Sequence, residues 1–314
     1  MSGPIRENKA GHTSGATPLV SVREGRVARV GGMGIRRVLP TKRRRTVGPW
    51  CFVDLMTPDD IENPPLLEIG PHPHIGLATV TWLFEGSALH SDSLGTEQLI
   101  RPGELNLMTS GHGIAHAELG RRESRLGANV GDVMGVQIWV AQPNDTRHGE
   151  SAFEHIKDLP RRDLGHGEAT VLMGALDETE SPARTDWEMV GMDVTLAPKV
   201  EIPTPSSFEY AVIPLDRTLK VAGTIVEPGA LGIVPAGRDS LHIEVDRGVG
   251  RAMVLGGAPF EEPITMWWNF VARSKDEIAD AWRAWHTHDD DRFAPVPSAL
   301  RRIDAPTPPW LAPN

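Results

Sequence analysis

Cys51 is the only cysteine in 314 residues. A lone cysteine excludes an internal disulfide framework and fits a reducing compartment, the cytoplasm. No apolar run approaches eighteen residues, so the sequence offers no membrane-spanning helix and no membrane partner. The first residues, MSGPIRENKAGHTSGATP, lack the apolar core of a signal peptide. Positive charge is also in deficit, with 32 Lys and Arg against 42 Asp and Glu and a net charge of −10. That balance argues against a phosphate-backbone binder, so no direct nucleic-acid partner is expected. Long helical periods are missing through most of the chain.

What is present is turn chemistry. Glycine (32) and proline (27) punctuate many short apolar runs, the pattern of strands joined by tight turns. Residues 1–17 read as a flexible arm. Leu19–Val30 alternates like a strand and closes on Gly31-Gly32. The basic run Lys42-Arg43-Arg44-Arg45 reads as a solvated loop. Trp50–Leu55 reads as a buried strand, with Cys51 as a small core residue. Further strands are expected at ATVTWLFEG, Ser87–Ser91, Glu97–Ile100, Glu104–Met108, Ile114–Glu118 and Val136–Val140. The polar stretch Gln142–Gly167 reads as the region between two domains.

The second half repeats this texture from Ala169 to Leu255, and Pro228-Gly229 echoes Pro102-Gly103. A degenerate duplication follows, of two compact β-barrels or sandwiches in an all-β chain. Between Lys199 and Phe260 His242 stands alone, so the second barrel is expected to hold no metal. A helix is expected at Ser274–Trp285. Ser274 and Glu277 form a capping box, and Ile278, Trp282 and Trp285 form an apolar stripe. The HTHDDD run at His286–Asp291 reads as a solvated acidic turn, and the proline-rich tail as an extended surface segment. The expected divisions are 1–17, 18–145, 146–293 and 294–314.

The chemistry concentrates between Pro71 and Glu118. Five of twelve histidines fall there: His72, His74, His90, His112 and His116. His72 and His74 are two apart, as are His116 and Glu118. On strands, residues i and i+2 share a face. Two such strands can converge three imidazoles and one carboxylate on a single metal ion. A zinc-peptidase helix through His112 and His116 is opposed by Gly111 and Gly113 and by the lack of an HExxH motif. His112 therefore reads as a group lining the pocket or supporting a ligand, with His90 similar. Such a ligand set suits Fe(II), Mn, Co, Ni, Cu or Zn. Iron is the choice here, because four protein ligands on a six-coordinate ion leave two positions for substrate and dioxygen. Trp82 and Trp139 are candidate pocket walls.

The segments GPWCFVDL, PHPHIGLATVTWLFEG, RPGELNLMTSGHGIAHAE, VQIWV and APFEEPI resemble the pirin family of the cupin superfamily. The resemblance implies a bicupin, two jelly-roll-like barrels facing one another, with a metal in the first. It maps the ligands onto His72, His74, His116 and Glu118. It also implies a quercetin 2,3-dioxygenase-type activity, opening a flavonol with dioxygen and releasing carbon monoxide. There Glu118 would take the proton of the substrate hydroxyl, with His112 assisting. Other members act as iron-dependent, redox-sensitive protein partners of transcription regulators or metabolic enzymes. That is the alternative role, and an open cavity beside the metal would favour the enzyme over it. Two positions depart from the pattern: Ala78 stands where cupins often carry glutamate, and His112 where many relatives carry arginine.

Overall fold

The computed structural model describes residues 19–30, 33–56, 67–121 and 133–312. The arm expected at 1–17 lies outside them. The described chain is a succession of short strands with one helix, paired antiparallel throughout its named sheets. Each barrel sets a large sheet against a four-stranded one. In the first barrel the large sheet runs Ala152–Ile156, Leu105–Thr109, Leu77–Glu85, Met134–Ala141, Trp50–Met56, Met33–Leu39, Arg26–Val30. Its small sheet runs Glu68–His74, Ile114–Arg121, Ser87–Asp92, Glu97–Ile100. The second barrel repeats the plan. Its large sheet centres on Glu209–Pro214, Gly250–Gly257 and Met189–Leu196, and its small sheet on Ser240–Val245 and Leu219–Val221. The architecture is the bicupin that the duplication and the motifs imply.

Strand alternation explains how the barrels meet. Val80, Trp82, Val136 and Ile138 point from the first large sheet into one buried cluster with Leu172, Ala211, Ile213, Met253 and Leu255 of the second. The two large sheets therefore pack face to face, and the opposite faces line the barrel interiors. Buried polar groups fix the pairing. Trp50 Nε1 donates to the Gly256 carbonyl at 2.9 Å, and Trp82 Nε1 donates to Asp193 Oδ2 at 2.9 Å. Glu209 accepts from the Gly48 N–H at 2.7 Å and pairs with Arg44 of the basic run. Gly191 is a close approach: a Cβ there would lie 2.7 Å from Trp50 Cη2.

The chain also crosses between the barrels. Ser21–Glu24 pairs with Ala230–Val234 of the second barrel, and two residues later Arg26–Val30 pairs with Met33–Leu39 of the first. Ala152–Ile156, beyond the expected division at 145/146, pairs with Leu105–Thr109 of the first barrel.

The helix spans Lys275–His286, with the Ser274 side chain accepting the Glu277 N–H at 3.2 Å as its N-cap. Its buried face, including Ile278 and Trp285, packs with Ile75 and Ala115 of the first barrel. Trp282, the third residue of the stripe, is partly buried. From Ala294 to Ala312 the tail has no regular structure. It runs beside the histidine strand: the Ile303 N–H donates to the Pro71 carbonyl at 2.9 Å, and Trp285 Nε1 donates to the Ile303 carbonyl at 2.9 Å.

Candidate metal centre

Strand pairing assembles the site. Glu68–His74 lies antiparallel to Ile114–Arg121, with His116 opposite His72 and Ile114 opposite His74. The period of two then turns all three imidazoles to the barrel interior, while Ile75 and Ala115 face the helix. The ring centroids of His72, His74 and His116 lie 4.3 to 5.0 Å apart, and one ligand atom from each lies within 4.8 Å of the others. Among the described residues this is the only such grouping of three or more metal-ligand side chains.

The hydrogen bonds fix which nitrogen is free. His72 Nδ1 lies 2.9 Å from the Gly70 carbonyl, and His74 Nδ1 3.1 Å from the Asn269 carbonyl. A carbonyl only accepts, so both Nδ1 atoms carry the proton and both Nε2 atoms keep a lone pair. His116 Nδ1 faces His90 Nδ1 at 3.5 Å, and His90 Nε2 meets Asp92 Oδ2 at 3.0 Å. In the tautomer that suits a metal, His116 Nδ1–H points at His90 and His90 Nε2–H donates to Asp92. His116 Nε2 is then free too, and it sits 3.0 Å from His74 Nε2. A proton or a metal ion must hold two imidazole nitrogens at that separation, and a metal ion serves both lone pairs at once. Burial pushes the His72 pKa down to about 4. Burial and the neighbouring imidazoles hold His74 and His116 well below the ordinary value. All three stay neutral at neutral pH, the state in which histidine binds metal.

Glu118 is 5% exposed and lines the same cavity, outside the tight histidine group. Pairing slips between His116 and Glu118, the extra residue falling at Gly70–Pro71, where proline has no N–H to offer the ladder. Its carboxylate has no hydrogen-bond or ion-pair partner among the described residues, and burial pushes its pKa up to about 7. A buried carboxylate without a partner is costly, and a metal ion beside it removes that cost.

The cavity holds about 460 Å³ and is open at Arg29, which is exposed. Phe52 and Trp139 stack at 4.0 Å to form one wall, with Met33, Met56 and Ile69 nearby. Gln137 and the Arg37–Asp54 ion pair supply polar groups, the latter bonded at 2.6 and 2.7 Å.

Other expected positions fall elsewhere. Trp82 belongs to the core between the barrels and not to this cavity, since it lies on the other face of its strand from Thr81. Ala78 lies on that face as well, so a glutamate at this position would point away from the cavity. His112 is exposed on the turn before the Ile114 strand. It lines a separate 170 Å³ hollow with His148, Arg147 and Arg292. His90 is buried beside His116 and stacks on Phe153 at 4.5 Å. His242 is exposed, near Glu201. Asp92, fully buried and anchored by the Leu94 and Thr96 N–H groups, was not foreseen. Its only sequence signal is a spacing of two from His90.

A family model for pirins matches residues 32–140, and one for the pirin C-terminal cupin domain matches residues 191–291. A Pseudomonas aeruginosa protein with a provisional quercetin 2,3-dioxygenase name is 42% identical, over 89% of this chain and 87% of its own length. A pirin-like protein of Caulobacter vibrioides is 32% identical, over 85% of this chain and 96% of its own. A crystal structure of quercetin 2,3-dioxygenase from Acinetobacter baumannii superposes with a TM-score of 0.85 at 38% identity, covering 94% of this chain and 97% of that one. The fold is shared by a bacterial pirin from Escherichia coli, solved with nickel(II). It aligns at TM-score 0.59 and 14% identity, over 77% of this chain and 100% of that one. With models matching both barrels and relatives of this identity spanning most of its length, the chain belongs to the pirin family of two-barrel cupins.

Proposed function

We propose that this protein is a metal-dependent dioxygenase of the quercetin 2,3-dioxygenase type, holding one iron(II) ion through His72, His74, His116 and Glu118. The observation that carries the reading is the convergence of three imidazoles in an aromatic-walled cavity that Glu118, without a partner among the described residues, also lines. When bound, such an ion supplies Lewis acidity toward a substrate hydroxyl and redox chemistry toward dioxygen. The residues do the rest. The Phe52–Trp139 wall and the methionines take the flat apolar body of a flavonol and exclude water from it. Glu118 accepts the proton of the substrate's 3-hydroxyl. Gln137 is placed to orient a ring hydroxyl or carbonyl. Ring opening then consumes one dioxygen and releases one carbon monoxide and a depside, which balances all atoms.

A redox sensor needs no substrate space beside its metal. The 460 Å³ cavity favours the enzyme. The test is turnover of quercetin under oxygen by protein loaded anaerobically with iron(II), scored as carbon monoxide released. Metal-dependent release supports the reading. Fully loaded protein that releases none would return the chain to the regulator role.

A further inference from the structure

The second barrel lacks the histidine cluster but is not featureless. At one end it opens a cavity of about 860 Å³, which shares no lining residue with the metal cavity. We propose that this cavity binds an organic cation, an amine or quaternary ammonium group carried on an apolar body.

Three observations converge. First, the lining includes the aromatic rings of Trp187, Phe208 and Tyr210 over a floor of Leu176, Met189 and Val190. Phe208 and Tyr210 lie 6.2 Å apart and tilted by 41°, and Trp187 at the same cavity is half-buried. Aromatic rings attract cations. Second, five carboxylates line the cavity and no Lys, Arg or His does. Asp186 is engaged by Arg184, Thr146 and Gln142, and Asp177 by Arg162. Glu180, Glu188 and Asp239 have no ion pair among the described residues, so the rim carries uncompensated negative charge. An anion would be repelled, and a cation drawn in.

The third observation is Tyr210, the only tyrosine of the chain. Its ring is buried at the cavity wall, and its hydroxyl has no hydrogen-bond partner among the described residues and is free to bond a ligand. Burial raises its pKa, so the phenol is neutral and its oxygen can accept an N–H. The ring is seated deliberately: Gly256 stands opposite it on the neighbouring strand, where a Cβ would lie 2.2 Å from the ring. A bare metal ion does not fit, because no three ligand groups converge here among the described residues.

The test titrates the full-length protein, at fixed salt, with three probes of one body: phenethylammonium, phenylethanol and phenylacetate. Binding is read by calorimetry and by Trp fluorescence. Phenethylammonium should bind, phenylacetate should not, and phenylethanol should bind at least about 10-fold more weakly. The exposed-rim variant Glu180→Gln/Glu188→Gln, checked for an unchanged melting temperature, should weaken the ammonium about 10-fold and leave phenylethanol alone. Tyr210→Phe keeps the packing and should weaken the ammonium several-fold. His74→Ala should bind it as wild type does, which separates this site from the metal centre. Equal binding of ammonium and alcohol, no binding up to about 10 mM, or indifference to the rim and Tyr210 variants would overturn the proposal.

Discussion

His116 is held through a chain that ends in a carboxylate. Asp92 accepts from His90 Nε2, and His90 Nδ1 faces the Nδ1–H of His116, so the free Nε2 is aimed inward. Burial alone would raise the Asp92 carboxyl. The bonds from His90, Thr96 and Leu94 outweigh it and hold the pKa below the ordinary value. Asp92→Asn keeps the shape but turns an acceptor into a group that competes for it. Metal affinity should fall about 10- to 100-fold, the usual effect of losing a supporting partner. Competition with a chelator reads this, and unchanged affinity would show that the chain does not orient His116. Glu118→Gln tests the proton acceptor. It retains a neutral oxygen, so turnover per bound metal should drop about 10²- to 10⁴-fold beyond any loss of occupancy. Unchanged activity per metal would leave Glu118 a ligand alone. His72, His74 and His116 were legible because period two fixes a face. Asp92 was not, because spacing does not say which strand lies alongside, and that neighbour supplies the contact to His116. His112 follows the glycine-rich turn outward for the same reason: sequence proximity to the HAE motif does not fix direction.

At the level of elements, the helix braces the metal strands from outside. Ile278 is fully buried and packs with Ile75 and Ala115, next in sequence to His74 and His116. Ile278→Ala removes that contact and leaves a cavity, costing about 2–5 kcal/mol. Urea unfolding measures it, and a change below about 1 kcal/mol would mean that the helix is not part of the barrel's core. The helix was readable to within a residue at each end, since the Ser274–Glu277 capping box and the apolar stripe are local signals. Its docking site was not, because the face it covers is written in Ile75 and Ala115, far away in the first half of the sequence.

At the scale of the whole molecule, the two large sheets share one core, so the barrels should stand or fall together. Gly191 tests this contact: its missing Cβ admits the Trp50 ring of the other barrel. Gly191→Ala forces the indole to shift and should destabilise by about 1–3 kcal/mol, the range for overpacked cores. Thermal unfolding should show the loss on both barrels at once, and a shift confined to one would deny the shared core. The duplication was visible in the sequence as repeated strand lengths and paired Pro-Gly turns. The crossing of the chain at Gly25 and the face-to-face packing were not, since strand partners are chosen by non-local burial. The central claim is that three neutral imidazoles and Glu118 hold one metal ion in the first barrel. Its most direct test is metal content per chain after anaerobic loading and desalting, in wild type and His74→Ala. The account predicts about one equivalent in wild type and less than about a tenth in the variant, because removing one of so few ligands leaves an incomplete shell. A full equivalent retained by His74→Ala would contradict it.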